Sequence, residues 1–349
     1  MFCGLSRGSF EDFGDDSRLS VRDAKFLCTH PKPMRFNKLD LNLLVALDAL
    51  LTERSITRAA QRLNLSPSAT SNALARLRDY FSDELLVQVG RKMQLTPRAE
   101  GLSDAVRDVL VRVDSAIALQ PEFVPSTSQR VFKIFASDYT QAVFVPSVLA
   151  LAREQRCTAH FEFLPQAANP QLKLERGEAD LLIIPRGFHS PDHPDELLYT
   201  EAFVCVVWNG SHLAQGELSF ERYLAAGHVQ MQPASEGANS FESWFVERYG
   251  VSRRVAVTTY GFTVMAPLVV GTDLIATVHA RLARQAATAL PLQIKPPPVP
   301  INAMEQIVQW HRHRSQDPGL VWLRGLLRQA AVRMDAQRMD AQQMDAMPN

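Results

Sequence analysis

Two short amphipathic helices joined by a tight turn, near the N-terminus, constrain the fold more than any other feature of the chain. Ser55 precedes the first helix and Ser66 the second, and a serine in that position accepts a hydrogen bond from a free backbone N–H group. Pro67 opens the second helix, where its missing N–H has no effect. Asn64 lies in the turn, where a left-handed backbone is needed. With a further helix predicted at residues 39–53, the pattern predicts a compact all-α unit.

A basic hairpin is predicted directly after this unit. Residues 85–95 read as two short strands around a turn that carries Arg91 and Lys92. Two strands with a basic tip are typical of a wing. Together these elements predict a winged helix-turn-helix domain over residues 39–96, with the helix-turn-helix itself at residues 56–75.

A single long helix is predicted over residues 97–119, and its apolar residues have the spacing of a coiled coil. Such a heptad seam indicates that a helix pairs with another helix. We therefore interpret this segment as a dimerising linker helix, with the contact formed by Leu102, Val106, Val109 and Val113.

Strand and helix patterns alternate from residue 130 to residue 332. A helix is predicted at residues 139–153, and apolar strand patterns lie at residues 131–136, 158–164, 181–184, 203–207, 255–259 and 274–278. This alternation predicts an α/β fold with a mostly parallel sheet covered on both faces. The segment is long enough for two such lobes, so we predict a two-lobed domain over residues 130–332.

The two ends of the chain differ in composition from the rest. Residues 1–33 are polar, which predicts either a disordered extension or a start assigned too early, with Met34 as the true start. Residues 333–349 contain a Met-Asp-Ala-Gln repeat, which predicts a disordered tail.

The composition excludes several classes of protein. Basic and acidic residues balance at 37 each, so the chain does not coat nucleic acid over its whole surface. Its four cysteines form no C-x-x-C pair, which argues against a zinc site or a disulfide framework. The apolar runs are interrupted by polar residues, and the N-terminus lacks the apolar stretch of a signal peptide. We therefore expect a cytoplasmic protein without a membrane span, metal or cofactor.

Basic residues are concentrated in the N-terminal unit. Residues 54–98 contain eight basic and three acidic residues, a net charge of +5 in a chain whose total is zero. Such a cluster supplies the attraction to phosphates that DNA binding requires. The third predicted helix presents Asn72 and Arg76 opposite its apolar face, and these side chains can pair with adenine and guanine. The residues predicted to contact DNA are Thr57, Arg58, Ser66, Ser68, Ser71, Asn72, Arg76, Arg91 and Lys92. An ordinary solvated helix face is the alternative for any one of them.

At these residues the chain resembles the LysR-type transcriptional regulators. The N-terminal part of the resemblance includes Ser55-Ile56-Thr57-Arg58-Ala59-Ala60, Ser71-Asn72-Ala73-Leu74 and Leu95-Thr96-Pro97-Arg98-Ala99-Glu100-Gly101. The C-terminal part includes Ser137-Asp138-Tyr139, Gly177-Glu178-Ala179-Asp180-Leu181 and Gly271-Thr272-Asp273-Leu274-Ile275-Ala276. These segments are similar to the subgroup that contains regulators of nodulation genes and of aromatic catabolism.

The resemblance implies a fold and a set of partners. The fold is an all-α winged helix-turn-helix domain, a long linker helix and a two-lobed effector domain like the periplasmic binding proteins. The implied partners are double-stranded promoter DNA, further copies of the chain in a dimer or tetramer, an aromatic inducer and RNA polymerase. The implied activity is activation of transcription at the bacterial nucleoid, without catalysis.

The chain departs from the family pattern at the start of the third helix. The family has Gln-Pro after the capping serine, whereas this chain has Pro67-Ser68. The glutamine that commonly contacts bases in the family is therefore absent. We expect Ser68 to take over part of its role.

A ligand cleft is predicted between the two lobes, because ligands of α/β folds bind at the carboxyl ends of strands. By analogy with the family, the predicted effector-binding residues are Ser137, Asp138, Thr140, Arg186, His228, Tyr260, Phe262 and Thr263. Local capping or loop packing is the alternative for each of them, and a buried structural role is the alternative for His228.

Two other classes of function are open at this point. Lobes of this type also occur in solute-binding modules, which would have no DNA-binding domain. An enzyme would need a catalytic group or a metal site. His189 with His193, and His311 with His313, have spacings seen among metal ligands, but neither pair has a third ligand nearby in the sequence.

Overall fold

The computed structural model describes residues 39–90, 92–117, 122–164, 169–232, 245 and 247–345, without the side chains of residues 115 and 337–345. The predicted N-terminal extension, the wing residue Arg91 and the end of the predicted linker helix at residues 118–119 lie outside this part of the chain. Within it, a helical domain, one long helix and two α/β lobes follow one another.

The N-terminal domain has three helices and a two-stranded hairpin, as the sequence predicts. Its elements are α1 Leu41–Glu53, α2 Ile56–Leu63, α3 Pro67–Phe81, β1 Leu86–Val89 and β2 Lys92–Leu95. The two strands pair antiparallel, with Leu86 opposite Leu95. Apolar residues from the helices, among them the fully buried Leu47 and Leu77, form one core with the hairpin.

Side-chain caps and a left-handed turn set the helix boundaries in this domain. Ser55 Oγ accepts a hydrogen bond from Arg58 N, and Ser66 Oγ accepts one from Ala69 N. Each cap satisfies an N–H group that has no partner inside its helix, which fixes where the helix begins. Asn64 has a φ of 54°, so the turn between α2 and α3 uses the left-handed backbone expected from the sequence.

The long helix α4 Pro97–Ile117 leads from this domain to the lobes. The predicted dimerisation residues on α4 divide into two groups. Leu102 and Val106 pack against the core of the N-terminal domain, whereas Val109 is 42% exposed and Val113 is half-buried. The first half of the predicted seam is therefore packed inside the chain, and its second half, Val109 and Val113, is accessible at the surface.

The first lobe is a five-stranded sheet with helices on both faces. Its strands follow the order β4-β3-β5-β12-β6 and are β3 Val131–Ala136, β4 His160–Leu164, β5 Leu181–Pro185, β6 Asp195–Glu201 and β12 Met304–Trp310. Its helices are α5 Asp138–Val143, α6 Val145–Glu154, α7 Pro170–Glu175 and α10 Pro318–Asp345. Phe132 and Ile134 pack towards α6 and α10, while Phe135 and Leu182 pack towards α7.

The second lobe repeats this arrangement with another five-stranded sheet. Its strands follow the order β11-β7-β10-β8-β9 and are β7 Phe203–Trp208, β8 Gly227–Met231, β9 Val255–Thr259, β10 Leu274–His279 and β11 Leu292–Lys295. Its helices are α8 Phe220–Ala225 and α9 Ala280–Ala287. Cys205 and Ile275 belong to the core beneath α8, and Val206 and Ala276 to the core beneath α9.

Each sheet is mixed, so the prediction of mostly parallel sheets was wrong. β3 pairs parallel with β4 and β5, whereas β12 pairs antiparallel with β5 and β6. In the second lobe β8 pairs parallel with β9 and β10, whereas β7 pairs antiparallel with β10 and β11. β6 leads directly into β7, and β11 leads into β12, where the chain crosses between lobes. Every described antiparallel pair in the two lobes includes β7 or β12, the strands at which the chain enters one lobe from the other.

Two predictions about helices also differ from the structure. The helix predicted at residues 139–153 is two helices, α5 and α6, which meet at Phe144 because Pro146 is tolerated only in a first turn. The tail predicted to be disordered from residue 333 instead continues α10 to Asp345, and residues 346–349 lie outside the described residues. Ala, Met and Gln favour helix, and Met334 is buried against the first lobe. In the described residues, no helix has the length and apolar character of a membrane span.

Candidate DNA interface and ligand cleft

One face of α3 presents the predicted base-reading residues to solvent. Ser68, Ser71, Asn72 and Arg76 are all exposed, and three of them lie four residues apart in a single stripe. The opposite face, which includes Leu77, packs into the domain core. α3 therefore has the packed back and polar front that a helix needs to enter a major groove.

Local contacts hold this stripe in place without burying it. Ser68 Oγ lies 3.0 Å from Ser66 Oγ at the start of the helix. Arg76 Nη2 donates to Asp40 Oδ2 at 3.2 Å, and both side chains are at least half exposed. A hydrogen bond from Leu43 N, together with Arg76, lowers the pKa of Asp40. Exposed ion pairs of this kind are weak, so a base edge can replace Asp40 as the partner of Arg76.

A groove of about 670 Å³ lies between α2 and the wing. Arg58 lines one wall and Lys92 the other, and both are exposed, as is Thr57. Arg58 Nε pairs with Glu53 Oε2 at 3.3 Å. The remaining lining residues are Arg54, Ser55, Ile56, Met93, Gln94, Leu95 and Glu100. Cations outnumber acids in this groove, which suits a phosphate backbone.

One basic residue of the N-terminal cluster has a structural role instead. Arg78 Nε donates to Glu84 O and Arg78 Nη2 donates to Leu86 O, both at 2.8 Å. Arg78 thereby fastens α3 to the first strand of the wing. Its charge contributes to the potential of the domain, while its side chain sets the position of the hairpin.

The predicted cleft is closed by a hydrogen-bonded contact between the lobes. Ser137 Oγ caps α5 by accepting from Thr140 N at 3.2 Å, which places Asp138 in the first turn. Asp138 Oδ2 accepts from Thr263 N at 2.9 Å and from the Thr263 hydroxyl at 2.8 Å. A Cβ added to Gly261 would lie 2.8 Å from the same carboxylate oxygen, so a larger residue there would force the Asp138 carboxylate to shift. The structure thus brings predicted residues from both lobes together.

A buried polar pair lies behind this contact. Thr140 is fully buried, and its Oγ1 accepts from Gln306 Nε2 at 3.0 Å. Gln306 Oε1 and Asp138 Oδ1 are buried, and neither accepts a hydrogen bond from the described residues. Unpaired buried acceptors are costly. A ligand that carries O–H or N–H donors would satisfy them.

An aromatic cluster around His279 bridges the two lobes. The His279 ring stacks on Tyr139 with 3.8 Å between ring centroids, and Phe262 and Phe203 pack around it at 4.8 and 5.1 Å. Burial lowers the pKa of His279 to about 3, so the ring is neutral at pH 7. The cluster is therefore an uncharged aromatic contact between the lobes, in which the rings pack face to face and edge to face.

A buried ionic network lies where the chain crosses between the lobes. Glu201 accepts hydrogen bonds from Tyr139 Oη at 2.6 Å and from Arg281 Nη1 at 2.7 Å. Arg281, on α9 of the second lobe, also pairs with Asp335 on α10. Burial raises the pKa of Tyr139, so its phenol stays protonated and can donate to Glu201. The network ties the second lobe to the first beside the cleft.

Three of the predicted effector residues do not take part in the contacts between the lobes described above. His228 is fully buried in the core of the second lobe, with Nε2 2.7 Å from Tyr223 O, which contradicts a position in the cleft and matches the structural alternative. Arg186 pairs with Glu305 at 2.5 Å on the first lobe. Tyr260 is 82% exposed.

Three of the four histidines considered as metal ligands, His193, His311 and His313, form a cluster beside Asp108 of α4, whereas His189 Nδ1 lies near Arg186 O. The ring centroids of His193 and His311 are 4.6 Å apart, and those of His311 and His313 are 5.2 Å apart. Burial, with His193 and His313 beside it, lowers the pKa of His311 to about 4. Among the residues that the structure describes, no group of three or more His, Cys, Asp or Glu side chains is placed to hold a metal ion.

Two family models match the chain. The model of the bacterial regulatory helix-turn-helix proteins of the lysR family matches residues 41–100, and the model of the LysR substrate binding domain matches residues 125–332, which is more than half of the chain. The chain belongs to the LysR family. It is a DNA-binding transcription regulator with an effector-binding domain. The match of the helix-turn-helix model excludes the alternative of a solute-binding module that does not bind DNA.

Relatives of this LysR-type regulator include several nodulation proteins. Nodulation protein D 2 of Rhizobium leguminosarum bv. phaseoli is 42% identical over 86% of this chain and 95% of its own. Nodulation protein D 1 of Rhizobium meliloti (strain 1021) is 42% identical over 86% of this chain and 98% of its own. The family predicted from the motifs is confirmed.

Solved structures of other regulators share the fold of this LysR-type regulator. A "probable transcriptional regulator" from Pseudomonas aeruginosa is 28% identical, with a TM-score of 0.56 over 83% of this chain and 97% of that chain. Full-length OxyR from Pseudomonas aeruginosa is 17% identical, with a TM-score of 0.61 over 84% and 94%. The second likeness shows the fold alone.

Four residues of the LysR-type cleft were missed by reasoning from the sequence. They are Glu201, His279, Arg281 and Gln306. Gln306 interrupts the strand-like run of Met304–Trp310, and His279 ends an apolar strand pattern, so both left a local signal. Glu201 and Arg281 are 80 residues apart, and no local pattern links them.

Proposed function

We propose that this LysR-type regulator binds an imperfect palindrome as a homodimer or homotetramer and activates transcription when an aromatic ligand enters its cleft. The observation that carries the proposal is the exposed stripe of Ser68, Asn72 and Arg76 on a helix whose other face is fully packed. Two such helices in a dimer reach successive major grooves, about one helical turn of DNA apart. No catalytic step is involved.

We assign base reading to the stripe of Ser68, Asn72 and Arg76, and positioning of the protein on the duplex to the residues around it that contact phosphates. Asn72 suits adenine, and Arg76 suits guanine, through paired hydrogen bonds. Ser68 takes part of the role of the family glutamine. Contacts with phosphates are assigned to Thr57, Arg58, Ser66, Ser71 and Lys92, and to Arg91, which lies outside the described residues. Such contacts fix the register on the duplex without reading its sequence.

The dimer contact is assigned to the exposed half of α4. Val109 is exposed and Val113 half-buried, and both belong to a heptad pattern. Leu102 and Val106 support this surface from within the N-terminal domain. A tetramer then requires a second contact between two dimers.

The ligand class follows from the chemistry of the cleft. The cluster of Tyr139, Phe262 and His279 favours an aromatic ring. The buried acceptor oxygens of Asp138 and Gln306 favour a ligand with hydroxyl donors. We therefore assign a hydroxylated aromatic compound as the inducer, bound between Ser137, Asp138 and Thr140 on one lobe and Phe262 and Thr263 on the other.

The remaining partners follow from the family. Activation involves RNA polymerase at the promoter, and the protein acts in the bacterial cytoplasm, bound to the nucleoid. Both expectations rest on the family alone.

Selection of bound sequences from a random duplex library tests DNA reading. Arg76→Ala should lose preference at one base position of each half-site, at a cost of about 1–3 kcal/mol there. Lys92→Ala is the matched control, because a phosphate contact weakens binding equally for all sequences. Its slope of log affinity against log salt should fall by about 1.

The same experiment has two outcomes that contradict the proposal. Unchanged base preference in Arg76→Ala would remove Arg76 from the base-reading set. If the wild-type protein prefers no duplex sequence over heparin at any salt concentration, the proposed function itself is overturned.

A further inference from the structure

Two consecutive residues of the linker helix hold two different domains. Arg107 Nε lies 3.3 Å from Asp48 Oδ1, and Arg107 Nη2 donates to Thr52 Oγ1 at 3.1 Å, so Arg107 binds α1 of the DNA-binding domain. Asp108 faces the first lobe, where Arg312 Nη2 donates to its Oδ1. A displacement of the first lobe therefore acts on α4 one residue away from its contact with α1.

The segment after β12 holds Asp108 through both carboxylate oxygens. Arg312 Nη2 lies 2.9 Å from Oδ1, and His313 Nε2 lies 3.1 Å from Oδ2. His311 Nε2 approaches Oδ1 to 3.8 Å. Although burial opposes them, His313 and Arg312 lower the pKa of Asp108, so its carboxylate stays charged. We refer to these contacts of Asp108 with His311, Arg312 and His313 as the Asp108 clamp.

β12 connects the Asp108 clamp to the ligand cleft. Gln306 hydrogen bonds to Thr140 at the cleft, and the clamp begins at His311, about 17 Å along an extended chain. β5 and β6 pair with β12 on its two sides, and Ile307 and Val308 are fully buried. A short strand that is paired on both sides and packed on both faces moves as a unit.

We propose that β12 and the Asp108 clamp couple the ligand cleft to the linker helix, with Asp108 as a positioning residue for the DNA-binding domain. A ligand that replaces the hydrogen bond between Gln306 and Thr140 displaces β12, and the clamp passes the displacement to α4. Arg107 then carries it to α1. This inference rests on the proposed ligand function of the cleft and adds the route by which the cleft acts on DNA binding.

Hydrogen exchange in the full chain, without ligand or DNA, measures this coupling. Gln306→Glu keeps the shape of the side chain and places a charge at the cleft end of β12. We expect the exchange rates of the α4 amides at residues 102–113 to change about threefold, the size of effect that contiguous networks transmit. In an Asp108→Asn background, the same Gln306→Glu substitution should leave these rates unchanged.

A matched control removes another carboxylate from the same lobe. Glu196 pairs with Arg328 at 3.1 Å, and its side chain is 35% exposed, against 36% for Asp108. In a Glu196→Gln background, the response of α4 to Gln306→Glu should persist at about threefold. If Asp108 had only a structural role, the α4 amides would respond to Gln306→Glu equally in the Asp108→Asn and Glu196→Gln backgrounds.

Equal responses to Gln306→Glu in the wild-type and Asp108→Asn backgrounds would overturn the coupling, and so would the absence of any response in the wild type. If Gln306→Glu does not fold, Thr140→Val breaks the same hydrogen bond from its other side and replaces it in the cycle. Base preference is measured on the same proteins. If the wild type shows base preference but the α4 amides respond equally in both backgrounds, only the coupling is rejected. If the wild type shows no base preference, the proposed function is rejected as well.

Discussion

His279 is a buried histidine that the fold holds in its neutral form. Burial against Tyr139 lowers its pKa from 6.5 to about 3. In the unfolded chain the ring regains its ordinary pKa, so the unfolded state binds a proton more readily than the folded state. The stabilising contribution of the neutral ring is therefore fully present above pH 6.5 and is lost as the pH falls towards the folded value. Burial lowers the pKa of His193 and His311 in the same direction.

We expect His279→Phe to flatten the loss of stability in acid. Phenylalanine keeps a flat ring against Tyr139 and cannot take up a proton. Thermal unfolding followed at a series of pH values below pH 6.5 should show a smaller decrease in midpoint for the variant than for the wild type. His212→Phe is the control, because the His212 side chain is 67% exposed. Parallel curves for His279→Phe and the wild type would contradict the prediction.

Single residues were predictable from the sequence only where a local motif determines their role. Ser55 and Ser66 cap helices and Asn64 makes the turn, and all three roles depend on neighbours within a few residues. The contact between Asp138 and Thr263 spans 125 residues of sequence. Its two members were predicted separately from the family, and their pairing required the folded chain.

One half of the apolar seam on α4 packs inside the chain, and the other half, Val109 and Val113, lies at the surface. We expect Val109→Lys combined with Val113→Lys to yield monomers, because two charges at the exposed half of the seam cannot be buried between paired helices. Sedimentation velocity measures the change in mass, and binding of selected DNA should weaken in parallel.

Val251→Lys is the control for the added charge, since Val251 is also exposed but lies in the second lobe, before β9. It should sediment as the wild type does. Should the double lysine variant keep the wild-type mass, the dimer contact lies outside the second half of α4.

Helices and buried strands were predictable at the level of elements, and lobe-crossing strands were not. Periodicity located α1 to α4 and the apolar β5 and β10. A heptad pattern cannot distinguish a partner helix from the domain core, so it did not reveal that Leu102 and Val106 pack inside the chain. β12 escaped prediction because Gln306 and Gln309 interrupt its apolar residues, and their side chains form buried hydrogen bonds outside the sheet, to Thr140 Oγ1 and Ser190 O.

The two lobes are joined by contacts of different character. The pair between Glu201 and Arg281 is deeply buried where the chain crosses between the lobes. The contact between Asp138 and Thr263 involves short, partly buried side chains. Opening at the second contact while the first is retained gives a ligand access to the aromatic cluster. We therefore expect the two lobes to separate first on the side of Asp138.

We expect hydroxylated aromatic compounds to stabilise the wild type and not Asp138→Ala. A ligand at a hundredfold excess over its Kd contributes about 2.7 kcal/mol, which corresponds to a rise in Tm of about 5–10 °C for a domain of this size. Differential scanning fluorimetry across a panel of phenols and hydroxybenzoates measures this shift. Glu154→Ala, which removes a surface pair with Arg333, is the control and should respond as the wild type does. An equal shift in Asp138→Ala would place the bound compound away from this carboxylate.

The adjacency of Arg107 and Asp108 also restricts the length of the linker. One residue inserted between them would rotate Asp108 by about 100° relative to the DNA-binding domain and turn it away from the lobe. Seven inserted residues, about two turns, would restore the angle but separate the domains by about 10 Å. Related chains that keep both contacts must therefore conserve the number of residues here, even where the residues on either side change freely.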